Sequence, residues 1–145
     1  EAVEIVDEIL KLPEVKEIHI GLNDLSLGYG KKFMFELLAD GTVERLCRKF
    51  REKEIAYGFG GIAALGKGML PSEYIIKEHY RLGSTCAILS RSFCSPKETD
   101  LDIIRNTFET GIKEIRELEE ECKRRCDYFL TNRDVVIEKV NEICR

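Results

Sequence analysis

"EIHIGLNDLSLGYG", residues 17–30, carries a short alternating apolar stretch directly into a glycine, a carboxylate and two further glycines. Ile18 and Ile20 around His19, bounded by Gly21, read as a short strand. The Asn-Asp pair just beyond Gly21 has two readings. It is ordinary turn chemistry, because both side chains hydrogen-bond nearby backbone. An Asp at the end of a strand can equally coordinate a hard divalent cation such as Mg²⁺, which keeps several waters and takes only one or two protein carboxylates. The stretch therefore predicts a strand ending in a turn, with Asp24 as a candidate metal ligand and Asn23 and Ser26 beside it.

Upstream, "EAVEIVDEIL" places Val3, Val6, Ile9 and Leu10 at helical spacing, and Pro13 stops that helix. Downstream, "KKFMFELLADG" holds a short helical patch, and residues 42–53 form a longer helix with Val43, Leu46, Cys47 and Phe50 in register. "AYGFGGIA", 56–63, is a second strand, rich in glycine. Pro71 opens a helix that closes at Leu82-Gly83, and "CAILS", 86–90, is a third strand. From Thr99 onward the pattern is helical, with Leu101, Ile104, Phe108, Ile112, Ile115 and Leu118 on one face. "TNRD", 131–134, reads as a turn and cap before a last helix carrying Val135, Val136, Val140 and Ile143.

Strands alternating with helices predict an α/β fold of parallel βαβ units with right-handed crossovers. An open doubly wound sheet and a closed (β/α) barrel share that grammar. Three strands alone leave two unpaired edges. The opening helix has no cap before it, so further strands are expected ahead of Glu1.

The chain has 145 residues, 43% of them hydrophobic, which is one domain's worth of core. A formal charge of −4 leaves no basic surplus for phosphates, so nucleic acid is excluded as the main partner. No membrane-length apolar run or signal segment occurs, and a cytoplasmic location is expected. The six cysteines form no CxxC pair and read as free thiols. Cys122 and Cys126 share a helical face but would need two further ligands to hold a metal.

Ligands of parallel α/β folds bind at the carboxyl ends of strands. At the second strand end, Gly58, Gly60 and Gly61 precede Gly66-Lys67-Gly68 without any GK[ST] closure. Gly60 and Gly61 there mark either an anion site made of backbone N–H groups or close packing of backbone. Arg91 and Ser92 follow the third strand, where Arg91 either completes an anion pocket or stands as an exposed surface charge. His79, inside a helix, reads as structural, and His19 as a packing or hydrogen-bonding residue of its strand.

Taken together, "HIGLNDLSLGYG", "YGFGGIA" and "AILSRSF" resemble the aldolase/citrate lyase family, metal-dependent (β/α) barrel enzymes that include 2-oxo-acid aldolases and the citrate lyase β subunit. The family's strand followed by Gly-Pro-x-Asp-Leu-Ser corresponds to Gly21-Leu22-Asn23-Asp24-Leu25-Ser26, with Leu22 departing from the proline. The resemblance covers residues 1 to about 95 and implies the C-terminal portion, about three βα units, of a (β/α)8 TIM-type barrel, with residues 96–145 as a helical extension.

It further implies that Asp24 is the metal-ligand aspartate for Mg²⁺ or Mn²⁺. The companion glutamate would lie on a preceding strand, and the family's catalytic arginine and histidine on earlier strands still. Asn23, Ser26, Gly60, Gly61 and Arg91 are the residues expected to bind a small carboxylate, a 2-oxo acid that is phosphorylated or carried as a thioester in some cases. The implied chemistry is carbon-carbon cleavage or formation through a metal-stabilised enolate. The chain by itself is expected to be inactive, and family members tend to be homo-oligomers. Two alternatives remain: an assembly segment without catalysis, and part of a phosphoenolpyruvate-utilising transferase barrel. The latter also has an Asn-Asp-Leu turn, but Thr and Gln usually come after it where Ser26 and Leu27 stand here.

Overall fold

The structure, a computed structural model, describes residues 2–145. Glu1, where the sequence places the start of the first helix, lies outside the described residues. The elements run α1 (Val6–Ile9), β1 (Glu17–Ile20), α2 (Leu22–Gly28), α3 (Glu36–Ala39), α4 (Thr42–Glu52), β2 (Ala56–Ile62), α5 (Ser72–Leu82), β3 (Cys86–Leu89), α6 (Leu101–Arg124) and α7 (Phe129–Ile143). This is a mixed α/β fold on a three-stranded parallel sheet in the order β1-β2-β3.

Both crossover helices cover the same face of that sheet. Tyr57 and Phe59 are two apart on β2, so their side chains leave from one side. Phe50 of α4 packs against Tyr57 at 5.6 Å between ring centroids, and His79 of α5 stacks on Phe59 at 3.8 Å and 5°. All four side chains are buried, and truncating Phe59 to Ala would cost about 3–5 kcal/mol. The opposite face carries Glu17, His19, Gly58 and Ile88, and Ile88 is 57% exposed.

Pro71 and Gly83 bound α5 as the sequence predicts, Gly83 adopting a left-handed φ of 72°. Three local expectations are corrected. The first helix is a single turn, Val6–Ile9, preceded by turns rather than helix from residue 2. The Asn23-Asp24 stretch is the first turn of α2, not the turn expected at the end of the strand. It is helical because Leu22 and Ser26, one helical turn apart, are both buried against the body of the protein.

The segment 131–134 lies inside α7 rather than capping it. Asn132 is buried and donates from Nδ2 to the Tyr74 carbonyl (3.1 Å) and to Glu78 Oε1 (2.8 Å), so its polar group serves a tertiary contact with α5. The break falls at residues 125–128, where Arg125 turns extended. Val136 and Val140 of α7 then join the same apolar core as Phe50 and Phe59.

Candidate functional site

The carboxyl end of β1 opens onto a cleft of about 680 Å³. Its floor is apolar, from Val6 and Ile9 of α1, Ile18 and Ile20 of β1 and Phe50 of α4. His19 and Asp24 supply polar groups at the same cleft. β1 pairs only with β2, so its other backbone edge is free on this side.

Asp24 sits in the first turn of α2, four residues after Ile20 ends the strand. It is exposed, and its carboxylate has no hydrogen-bond or ion-pair partner among the described residues. A carboxylate in that state keeps its oxygen lone pairs open to hydrogen-bond donors or a cation. Asn23, also exposed, contributes its carbonyl to Ser26, whose hydroxyl donates to it at 2.7 Å. Ser26 is buried and its hydrogen bond turns inward, closing the first turn of α2.

His19 Nε2 lies 3.1 Å from the Gly60 carbonyl. A carbonyl only accepts, so the proton is on Nε2, and in the neutral ring Nδ1 is left as an acceptor. The alternation of Ile18, His19 and Ile20 already places His19 on the other face from its two neighbours, which is the signal that could have marked it as a site residue.

Gly60 adopts a left-handed φ of 57°, and a Cβ there would stand 2.8 Å from Leu22 Cδ1. At Gly61 a Cβ would meet Ser90 Cβ at 3.2 Å. The close approach that the glycines permit is therefore made by the chain's own Leu22 and Ser90. This stretch also breaks the register of β2 with β3, between Gly58 and Gly61. Arg91 is exposed in the turn after β3 and has no partner among the described residues. The structure thus gathers Asp24 and His19 at one cleft and ties Gly60 to it through His19, while Gly61 and Arg91 belong to the β3 side.

As a metal centre this set offers one free carboxylate. Among the described residues no group of three His, Cys, Asp or Glu side chains could hold a metal ion. A single carboxylate fits the first contact of Mg²⁺, which retains waters and shares oxygens with substrate, and it does not fit a closed all-protein site. All six cysteines are free, with Cys122 buried and Cys126 exposed beyond the end of α6. No helix among the described residues is long and apolar enough to cross a membrane. No protein-family model, curated protein or solved structure matches the chain.

Proposed function

We propose that this chain is the C-terminal portion, about three βα units, of a (β/α)8 barrel that serves a divalent-metal-dependent carbon-carbon lyase acting on a 2-oxo acid. Support for the barrel comes from topology. Consecutive strands in the order β1-β2-β3, joined by crossovers whose helices lie on one face, trace a singly wound course, whereas a doubly wound sheet reverses order and covers both faces. All-parallel sheets are normally buried on both sides. The bare face with Glu17, His19, Gly58 and Ile88 is what the interior wall of a barrel would present.

The observation that carries the lyase reading is the unpartnered carboxylate of Asp24 at the carboxyl end of β1, in the same cleft as His19. Asp24 would hold Mg²⁺ or Mn²⁺. The ion would act as a Lewis acid on the substrate's carboxylate and 2-oxo oxygens, stabilising an enolate. His19, with its Nδ1 free to accept, would stand near the substrate as a hydrogen-bonding group, and Asn23 and Arg91 remain the proposed carboxylate contacts.

Titration with Mn²⁺, with and without pyruvate, beside an Asp24→Asn variant tests the reading. Binding tightened by pyruvate and lost in the variant is the expected result. Equal binding by both proteins, or none by either, rejects Asp24 as the ligand in this chain.

A second reading, an assembly segment forming a homo-oligomer, is favoured by α6. Its second half is anchored by buried Ile115 and Cys122, but Leu101, Ile103, Phe108 and Ile112 remain exposed along its first half.

A further inference from the structure

The cleft of about 680 Å³ follows the backbone edge of β1. Its lining takes Ile18, His19, Ile20 and Gly21 in succession, although one face of a sheet offers only every second side chain, and it takes no residue of β2. The cleft therefore lies on the side of β1 away from β2. Among the described residues, no backbone N–H or C=O of residues 17–20 makes a backbone hydrogen bond outside the ladder with β2. Alternate residues of a parallel strand bond to the neighbour, so the other half of these groups points toward the cleft. Native edges are blunted by proline, by bulges or by a covering segment. β1 has no proline, and its pairing with β2 is regular over all its residues.

The rest of the wall is mostly apolar, with Val3, Ile9, Leu25 and Phe50 in it. Asp24 is the one carboxylate of the lining, which holds no Lys or Arg. A Cβ on Gly21 would stand 3.5 Å from Asp24 Oδ2, so the carboxylate lies back over the end of β1. A small apolar molecule would cover the wall and leave the edge amides unpaired, whereas a strand satisfies both. We propose that this cleft receives an extended polypeptide segment with alternating apolar side chains and a basic residue level with Asp24, which joins the sheet as a further strand beside β1. The proposal deepens the barrel reading, which needs a strand at this place, and requires no metal at Asp24.

The probe is the peptide Ac-Lys-Val-Thr-Val-Thr-Val-Lys-NH₂ in metal-free buffer, and the readouts are calorimetry and amide exchange of the ¹⁵N-labelled protein. Saturable binding is expected, with exchange at alternate amides of residues 17–20 slowed about tenfold when roughly nine-tenths of the protein is bound. The same peptide with its inner amides N-methylated keeps the side chains, loses the donors and should not bind. Val3→Lys sets a charge into the apolar wall and should abolish binding, and Asp24→Asn should weaken it about threefold. Binding that leaves the β1 amides unprotected, equal binding of the N-methylated peptide, equal affinity in Asp24→Asn, or no binding would each overturn the proposal. Protection of those amides that grows with protein concentration in the absence of peptide gives the edge to a second copy and overturns it as well. A paramagnetic label on the peptide's C-terminus separates this proposal from the barrel reading. Broadening of α2 resonances marks a parallel strand and supports both, while broadening of the residues ahead of Glu17 marks an antiparallel strand, which supports the proposal and tells against the barrel. Should Val3→Lys fail to fold, the wild-type amide protection and the N-methylated peptide decide.

Discussion

The thiol of Cys86 on β3 reaches Oε1 of Glu17 on β1 at 3.1 Å, passing over Gly58 of the strand between them. Burial first, and then the Glu17 carboxylate, raise the thiol's pKa above its ordinary value, so the pair is an S–H donating to a carboxylate. A Cβ at Gly58 would collide with both the Cys86 carbonyl oxygen and Sγ. Gly58→Ala should therefore lose about 1–3 kcal/mol in urea unfolding. Adding Cys86→Ala should restore only part of it, because the backbone collision stays. Full recovery in the double variant would show that the thiol alone sets the spacing of the open face.

Asn132 ties α7 to α5 through Glu78, which is 1% exposed and also accepts from Arg81 Nε at 2.9 Å and Nη2 at 2.8 Å. Removing one donor leaves buried acceptors at the Tyr74 carbonyl and Glu78 Oε1 short of a partner. Asn132→Ala is expected to cost about 1–3 kcal/mol with an unchanged denaturant slope. Arg81→Met, which leaves the Glu78 carboxylate buried with its charge uncompensated, should cost more, about 3–5 kcal/mol. A smaller loss for Arg81→Met than for Asn132→Ala would contradict this ranking.

That contact also shows where the sequence stops being readable. The three strands are legible because β-branched and aromatic residues are bounded by glycine or polar punctuation, and α5 because Pro71 and Gly83 mark its ends. Asn132 reads as a cap because Asn is a good one. Its partners are more than fifty residues away in sequence, beyond any local pattern. The helix α2 is hidden for a similar reason: Asn23, Asp24 and Gly28 read as turn residues, while the helix is held by Leu22 packing on Gly60. At the site, the sequence marks Asp24 and the glycines, and it marks close approach at Gly60. It cannot say that Leu22 makes that approach, because that depends on how β1 and β2 are paired.

Burial first, and the nearby His19 second, push the pKa of His79 down to about 3 from 6.5. Between those values the unfolded chain binds a proton that the folded protein does not, so stability rises with pH across this window and falls on acidification. Well inside the window the contribution to the slope approaches about 1.4 kcal/mol per pH unit. Unfolding free energies measured from pH 4 to pH 7 should show this slope in the wild type and a shallower one in His79→Phe. Parallel curves for the two proteins would mean that His79 titrates normally when folded.

The first half of α6 supplies the last test. Leu101 is 73% exposed and Ile103 51%, with Phe108 and Ile112 at 37% each, on a helix whose first turn is capped by Asp100 accepting from the backbone N–H groups of Asp102 and Ile103. Apolar side chains concentrated on one half of a helix, when the other half is packed, are the pattern of an interface. Sedimentation across a concentration series should show self-association. Leu101→Glu should weaken it by about tenfold or more, since burying such a side chain contributes about 1.5–3 kcal/mol. The fold should survive the change, because carboxylates in a first helical turn are favourable to the helix dipole. A monomer at every concentration removes the assembly reading. Association that is indifferent to this substitution moves the interface elsewhere, to the free edges of the sheet at β1 and β3.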